Sequence, residues 1–135
     1  MRLRHAWPEV GAVSDHETVL AVIDTYCKGV YRGDLGLLRS VFHPKAALFA
    51  EVRGQPYYKP LDEYLSVVAT RKSPEALGEP FLMKPLAVEI THKIAFAKVH
   101  CPMLGYNYTD YLSLVREDGR WVIVNKLFTD VPYPT

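Results

Sequence analysis

The hydrophobic pattern of this chain changes its period near Lys84, and that change constrains the fold more than any other feature. Before Lys84, apolar residues mostly recur at spacings of three and four, which is typical of helices with one apolar face. After it, apolar residues alternate with polar ones, which is typical of half-buried strands. Helices followed by a run of strands predict an α+β fold with the helices on one face of an antiparallel sheet.

The first helix begins at Ser14, because Ser14 and Glu17 have the spacing of a capping box, and it ends at Gly33. Further along, we predict a second helix, two short strands and a third helix, at 34–43, 46–53, 57–59 and 60–69. The alternating part predicts four strands, at 85–91, 94–103, 106–116 and 121–129. Asp118 and Gly119 predict a tight hairpin turn between the last two, since such turns need positive φ angles.

Residues 1–13 have no periodicity, so we interpret them as an N-terminal arm and residues 14–135 as a single domain. The arm has no apolar run typical of a secretory signal, and no stretch is long enough to span a bilayer. The formal net charge is +1 without long charged runs, which disfavours nucleic acid as a partner. Cys27 and Cys101 are predicted to be buried free thiols, and a cytoplasmic location fits these features.

The last hairpin can be placed in register from its turn. With Asp118 and Gly119 at the centre, alternation predicts an inward face made of Tyr108, Asp110, Leu112, Leu114, Trp121, Ile123, Asn125 and Leu127. The opposite face carries Val115, Val122, Val124 and Phe128, together with Lys126. Because such an apolar outer face often marks a partner surface, we predict a homodimer through the outer face of the sheet.

Three segments of this hairpin resemble a known signature: Tyr108 to Leu114, Asp118 to Trp121, and Ile123 to Phe128. They are similar to the C-terminal motif of the putative lumazine-binding family, in the nuclear transport factor 2-like superfamily. The resemblance extends to Tyr26, to Gly33-Asp34 and to Phe42-His43-Pro44. It departs at Lys45, where relatives often have an acid, and at Tyr108, where they often have Phe.

The resemblance implies a cone-shaped α+β fold in which three N-terminal helices pack on a curved antiparallel sheet and enclose a pocket. It also implies a dimer. The superfamily hosts ketosteroid isomerases, dehydratases, polyketide cyclases and proteins that only bind ligands, so the fold does not select a function.

Asp110 is the main candidate for a catalytic residue. A carboxylate on an inward face either acts as an acid or base in an apolar pocket or is tied to neighbouring donors as part of the structure. Tyr26, on the apolar face of the first helix, is the second catalytic candidate. It either donates its hydroxyl to a ligand oxygen or is a core residue with a satisfied hydroxyl.

Five other residues are candidates for ligand binding. Asn125 either orients Asp110 or satisfies the sheet, and His43 is either a proton shuttle or a structural corner before Pro44. Tyr108 adds a hydroxyl to the inward face, which it shares with Trp121. Tyr64 is a candidate for the mouth of the pocket.

The sequence lacks the spacing of zinc ligands, a glycine-rich phosphate loop and a serine-hydrolase elbow, so we expect neither a metal nor a cofactor. The pattern favours a small-molecule-binding domain with an apolar pocket for a small apolar or aromatic ligand. The alternative is a cofactor-free isomerase, dehydratase or cyclase that uses Asp110 as acid or base. A third interpretation is a protein–protein module that uses the outer sheet face.

Overall fold

A computed structural model describes residues 14–133, so the predicted arm at 1–13 lies outside the described residues. The described part contains three helices and six strands. In chain order they are α1 (Asp15–Arg32), α2 (Leu35–Val41), β1 (Phe42–Val52), β2 (Gln55–Pro60), α3 (Leu61–Thr70), β3 (Lys84–Thr91), β4 (Ile94–Met103), β5 (Tyr106–Glu117) and β6 (Arg120–Asp130). The main difference from the predicted elements is β1, which begins at Phe42 and includes the His43-Pro44 corner.

The strands form one curved, unclosed sheet in the order β2-β1-β6-β5-β4-β3. Four neighbouring pairs are antiparallel, but β1 and β6 run parallel. The prediction of an antiparallel sheet is therefore wrong at this one pairing. The chain between β1 and β6 is a long connection that includes α3, and only a connection of that kind allows two strands to run parallel.

The predicted helix ends and the hairpin turn are confirmed. The Ser14 side chain accepts a hydrogen bond from the Glu17 backbone N–H at 3.1 Å, which begins α1. Gly33 ends α1 in the left-handed conformation, with φ of 66°. Asp118 and Gly119 have φ of 52° and 76°, as expected for a two-residue turn that matches the twist of its strands.

The hydrophobic core lies between the helices and the inner face of the sheet. Three aromatic rings join helix and sheet there: Phe42 on β1 meets Tyr26 of α1 at 5.9 Å and Tyr64 of α3 at 6.2 Å, both in edge contacts. These contacts hold α3 against β1 and β2, whereas α1 lies across the sheet against β3, β4 and β6.

A bulge in β6 changes which side chains face inward. Leu114 pairs with Ile123, but Ser113 pairs with Asn125, so Val124 is an extra residue in the ladder. A one-residue shift exchanges the two faces of every residue beyond it. The predicted orientation is therefore wrong after Val124. Asn125 and Leu127 point outward, whereas Lys126 and Phe128 point inward.

Candidate functional site

Asp110 and Lys126 form a buried ion pair at the inner face of the sheet. Asp110 is 1% exposed and Lys126 is 4% exposed, and their Oδ2 and Nζ atoms lie 4.0 Å apart. Lys126 pairs with Leu112 and Asp110 pairs with Phe128, so the two charged residues are diagonal neighbours on adjacent strands. The bulge brings them together, because without it Lys126 would lie on the outer face.

Tyr26 supports the carboxylate from the helix side. Its hydroxyl donates a 2.6 Å hydrogen bond to Asp110 Oδ2. Burial, followed by the charge of Asp110, raises the pKa of Tyr26 well above its ordinary value, so the phenol keeps its proton. The sequence predicts a catalytic role for Tyr26 as a donor to a ligand oxygen, but its hydroxyl is engaged by Asp110, so Tyr26 orients that carboxylate.

The amine of Lys126 is an ammonium surrounded by aromatic rings. Burial, the largest influence, lowers the pKa of Lys126, but the negative charges of ionised Tyr64 and of Asp110 outweigh it and raise the pKa above its ordinary range. Nζ lies 4.8 Å from the centre of the Tyr64 ring, 5.1 Å from that of Phe128 and 5.3 Å from that of Tyr26. The site therefore presents a desolvated positive charge.

A cavity of about 150 Å³ opens beside the ion pair, between α3 and the sheet. It is lined by Val52, Arg53, Tyr57, Tyr64, Val67, Arg71, Met103, Tyr108, Asp110, Lys126 and Phe128. An apolar cavity of about this volume holds a molecule the size of benzene. Two buried donors of the lining, the Tyr64 hydroxyl and Arg71 Nη2, have no hydrogen-bond partner within residues 14–133.

The structure brings together three of the seven predicted site residues at this cavity: Asp110, Tyr64 and Tyr108. Tyr26 lies behind Asp110. The other three predicted residues, Asn125, His43 and Trp121, lie elsewhere and have partners of their own.

Asn125 points away from the cavity, and its side-chain amide donates to the Ala47 carbonyl at 3.2 Å. This contact corresponds to the structural alternative, in which Asn125 satisfies the sheet. The His43 ring accepts from the Lys45 backbone N–H at 2.9 Å, and its Nε2 lies 3.5 Å from Glu117. Trp121 is buried, and its indole N–H donates to Asp15 at 3.0 Å. The cavity therefore contains no Asp–His pair among the described residues.

Cys27 and Cys101 are free and buried, as predicted. Burial, with a smaller effect from the charge of Asp110, raises the pKa of Cys27 to about 12 and also raises that of Cys101. Both thiols are protonated near neutral pH, and a protonated thiol is a poor nucleophile. Within residues 14–133, no group of three His, Cys, Asp or Glu side chains has the arrangement of a metal site.

Sequence reasoning missed Lys126 and Arg71. A lysine inside the apolar strand from Trp121 to Phe128 is a signal in itself, but strict alternation assigned it to the outer face. Arg71 follows the last residue of α3, in a segment whose composition predicts a polar loop. Its position over the cavity depends on how α3 packs, which no local pattern contains.

The comparisons with known proteins agree with this fold. The family model described as "Putative lumazine-binding" matches residues 14–129, which is most of the chain. The chain belongs to this family. The resemblance noted in the sequence is thereby confirmed.

Three proteins that resemble this chain share modest sequence identity with it. An aldolase from Cladobotryum sp., FrzH, is 25% identical over 119 residues, covering 88% of this chain and 94% of that protein. A nuclear transport factor 2-like protein of unknown function from Shewanella baltica is 20% identical with a TM-score of 0.77, covering 88% and 95% of the two chains. The CaMKII hub of S. rosetta is 17% identical with a TM-score of 0.66, covering 89% and 99%. The two solved structures establish the shared fold.

Among the helices within residues 14–133, none combines the length and the hydropathy needed to cross a bilayer.

Proposed function

We propose that this chain binds a ring-sized organic molecule with a carbonyl group and moves a proton next to that carbonyl without a cofactor. The observation that carries the proposal is the buried Asp110–Lys126 pair at the wall of the cavity. A base and a fixed positive charge in a desolvated pocket are the two groups that enolate formation requires.

The sequence favoured a domain that only binds ligands, because just two polar groups could be assigned to the interior. The arrangement now supports the enzymatic alternative more strongly. Asp110, Lys126, Tyr64 and Arg71 all reach the cavity, and Tyr26 holds Asp110 in place. Convergence of several polar groups on one cavity is typical of a catalytic site.

The proposed step balances without an added reactant. Asp110 removes a proton from the carbon beside the carbonyl, and the C–H electron pair forms a carbon–carbon double bond. The carbonyl π electrons move to oxygen, whose negative charge faces the Lys126 ammonium. In a substrate whose enolate is conjugated with a further carbon–carbon double bond, return of the proton to the far carbon of that bond completes an isomerisation. Attack of the enolate carbon on a second carbonyl completes an aldol addition, in which the new alkoxide takes the proton from Asp110.

The likeness to a protein named as an aldolase is in line with this chemistry. It leaves two ways to use the lysine, as an ammonium that stabilises an enolate or as an amine that forms a Schiff base. The raised pKa of Lys126 favours the ammonium, since an amine must lose its proton before it attacks a carbonyl.

The experiment is solvent exchange at the carbon beside the carbonyl. The protein is incubated in D2O with cyclohexanone and with 2-oxobutanoate, and the loss of the adjacent proton signal is followed by NMR. The wild type is expected to accelerate exchange over buffer. Asp110→Asn and Lys126→Met are expected to reduce that acceleration by about 10²–10⁴-fold, the range typical of acid–base groups.

Asp62→Asn is the matched control, because Asp62 is an exposed carboxylate paired with Arg39 on the surface. Circular dichroism establishes that each variant is folded. Exchange at the buffer rate with a ketone that binds the protein contradicts the proposal. Borohydride reduction separates the two roles of lysine: an unchanged protein mass is expected, and a covalent adduct at Lys126 assigns the Schiff base instead.

We also propose that a second copy of the chain covers the outer face of the sheet. Phe49, Tyr111 and Leu127 are 44%, 42% and 49% exposed and lie in one row across β1, β5 and β6. Two members of the predicted patch do not contribute to this surface, because Phe128 lies inside and Val122 is buried, whereas Val115 and Val124 line a neighbouring groove.

Charge supports a self-complementary contact. Glu51 on β1 and Lys98 on β4 line the same groove, on opposite sides of Leu127 and Tyr111. With a two-fold axis between β5 and β6, Glu51 of each copy lies opposite Lys98 of the other copy. The likeness to a domain named as a hub is in line with such self-association.

A further inference from the structure

The cavity holds more donors and more positive charge than its own residues use. The Tyr64 hydroxyl and Arg71 Nη2 both line it, both are buried, and neither has a hydrogen-bond partner within residues 14–133. A buried donor without a partner costs about 1–3 kcal/mol, so natural proteins contain few of them. Two such donors on one cavity wall indicate a ligand that accepts hydrogen bonds there.

The charges of the lining indicate the sign of that ligand. Arg53, Arg71 and Lys126 contribute three positive charges, against the single carboxylate of Asp110. Asp110 already lies 4.0 Å from Lys126, and no ion pair joins Arg71 to a carboxylate within residues 14–133. Arg53 stacks on the Tyr106 ring at 4.4 Å. The guanidinium of Arg71 is therefore the cation still available to a ligand.

The shape of the cavity and the geometry of arginine further restrict the chemical class of the ligand. A guanidinium presents its N–H groups in a planar fork that matches a carboxylate. Tyr57, Tyr108 and Phe128 supply flat apolar walls. The volume of about 150 Å³ suits a molecule the size of one ring.

We infer that the substrate is a small oxo acid, whose carboxylate is bound by Arg71 and Tyr64 while its carbonyl oxygen faces Lys126. This inference rests on the proposed proton transfer for the role of the carbonyl. The carboxylate site stands on Arg71 and Tyr64 alone, so binding measurements test it separately.

The experiment compares anions with their neutral amides. Binding of 2-oxobutanoate, 4-oxopentanoate and benzoate is measured by calorimetry or ligand-observed NMR, each against the corresponding amide. The wild type is expected to bind at least one of the anions about ten-fold more tightly than its amide. Arg71→Met is expected to abolish that preference, and Tyr64→Phe to weaken anion binding by about three- to ten-fold.

The matched control is Arg32→Met, which removes an arginine from the surface, 3.9 Å from Glu75, and is expected to keep the anion preference. Loss of folding is a small risk, because Arg71→Met and Tyr64→Phe remove donors that have no partner. Their thermal midpoints are expected to stay unchanged or rise.

Equal binding of anion and amide, or full preference in Arg71→Met, overturns the inference. So does the absence of anion binding tighter than about 10 mM. Anion preference without solvent exchange supports the carboxylate site and contradicts the proposed proton transfer. Solvent exchange of cyclohexanone without any anion preference supports the proton transfer and contradicts the carboxylate site.

Discussion

At the scale of single residues, the central feature is a buried pair of opposite charges. Asp110 and Lys126 are almost fully removed from water, and the desolvation of two ions costs more than their attraction commonly returns. Such a pair contributes little net stability compared with apolar residues of the same volume. Loss of one partner is a different matter, because it leaves a single charge buried without compensation.

A double-mutant cycle tests this coupling. Asp110→Asn and Lys126→Met are each expected to lower the free energy of unfolding by about 3–5 kcal/mol, whereas the double variant loses less than either. Urea denaturation measures all three. The matched control is the surface pair Asp24–Lys28, 2.8 Å apart on α1, where the same cycle is expected to give about 0.3–0.5 kcal/mol. Additive losses at Asp110 and Lys126 contradict the ion pair.

At the scale of elements, strand β6 determines both faces of the sheet. It pairs with β5 on one side and with β1 on the other, and both ladders shift register in the region of Val124. The extra residue sends Lys126 to the cavity and Leu127 to the outer face. One irregularity in one strand therefore produces both the candidate site and the proposed dimer surface.

The outer face is tested by charge reversal. Glu51→Lys and Lys98→Glu are each expected to weaken a dimer in sedimentation experiments, and the double variant to restore it, because a two-fold contact pairs each residue with the other. Tyr111→Arg is expected to give a monomer. Leu77→Arg is the control, because Leu77 lies in the loop after α3 and is about as exposed as Leu127. This variant is expected to stay dimeric.

A monomeric wild type at about 100 µM overturns the proposal of a second copy, since stable interfaces bind well below that concentration. In that case the groove is left for a different protein. A dimer that persists in Tyr111→Arg would place the interface on another surface of the molecule.

At the scale of the whole molecule, several buried groups hold their protons more tightly in the folded chain than in the unfolded one. Burial raises the pKa of Tyr26, Cys27 and Cys101, and nearby negative charge raises that of Lys126 against the effect of burial. All four shifts have the same sign. Unfolding at high pH therefore releases protons, and stability falls as the pH rises.

The free energy of unfolding is accordingly expected to be nearly constant between about pH 6 and pH 8. It should fall above about pH 8.5, where unfolded thiols begin to ionise, and more steeply above about pH 10, where unfolded tyrosine and lysine follow. Urea denaturation across this range measures it. The double variant Cys27→Ala, Cys101→Ala should show a flatter profile between about pH 8.5 and pH 10. A profile that rises through this range would falsify the assignment of these shifts.

The sequence alone determined the elements, the turns, the α+β class and the family. Ser14, Gly33 and Asp118-Gly119 are local signals, and each acts within a few residues through a cap or a positive φ angle. The periods of three to four and of two are also local, since they depend only on the geometry of a helix or a strand. Asp110 and Tyr108 could be assigned to the inward face because they lie in β5, which alternates without interruption there.

Only the tertiary structure decided what the cavity contains. Both ladders of β6 shift register at Val124, and this bulge reverses Asn125, Lys126, Leu127 and Phe128 together. The positions of Tyr64 and Arg71 depend on how α3 packs over the sheet. Alternation along a strand is a local rule, but the register between strands depends on partners far away in the sequence. The lysine that completes the site could therefore be assigned only after the strands were paired.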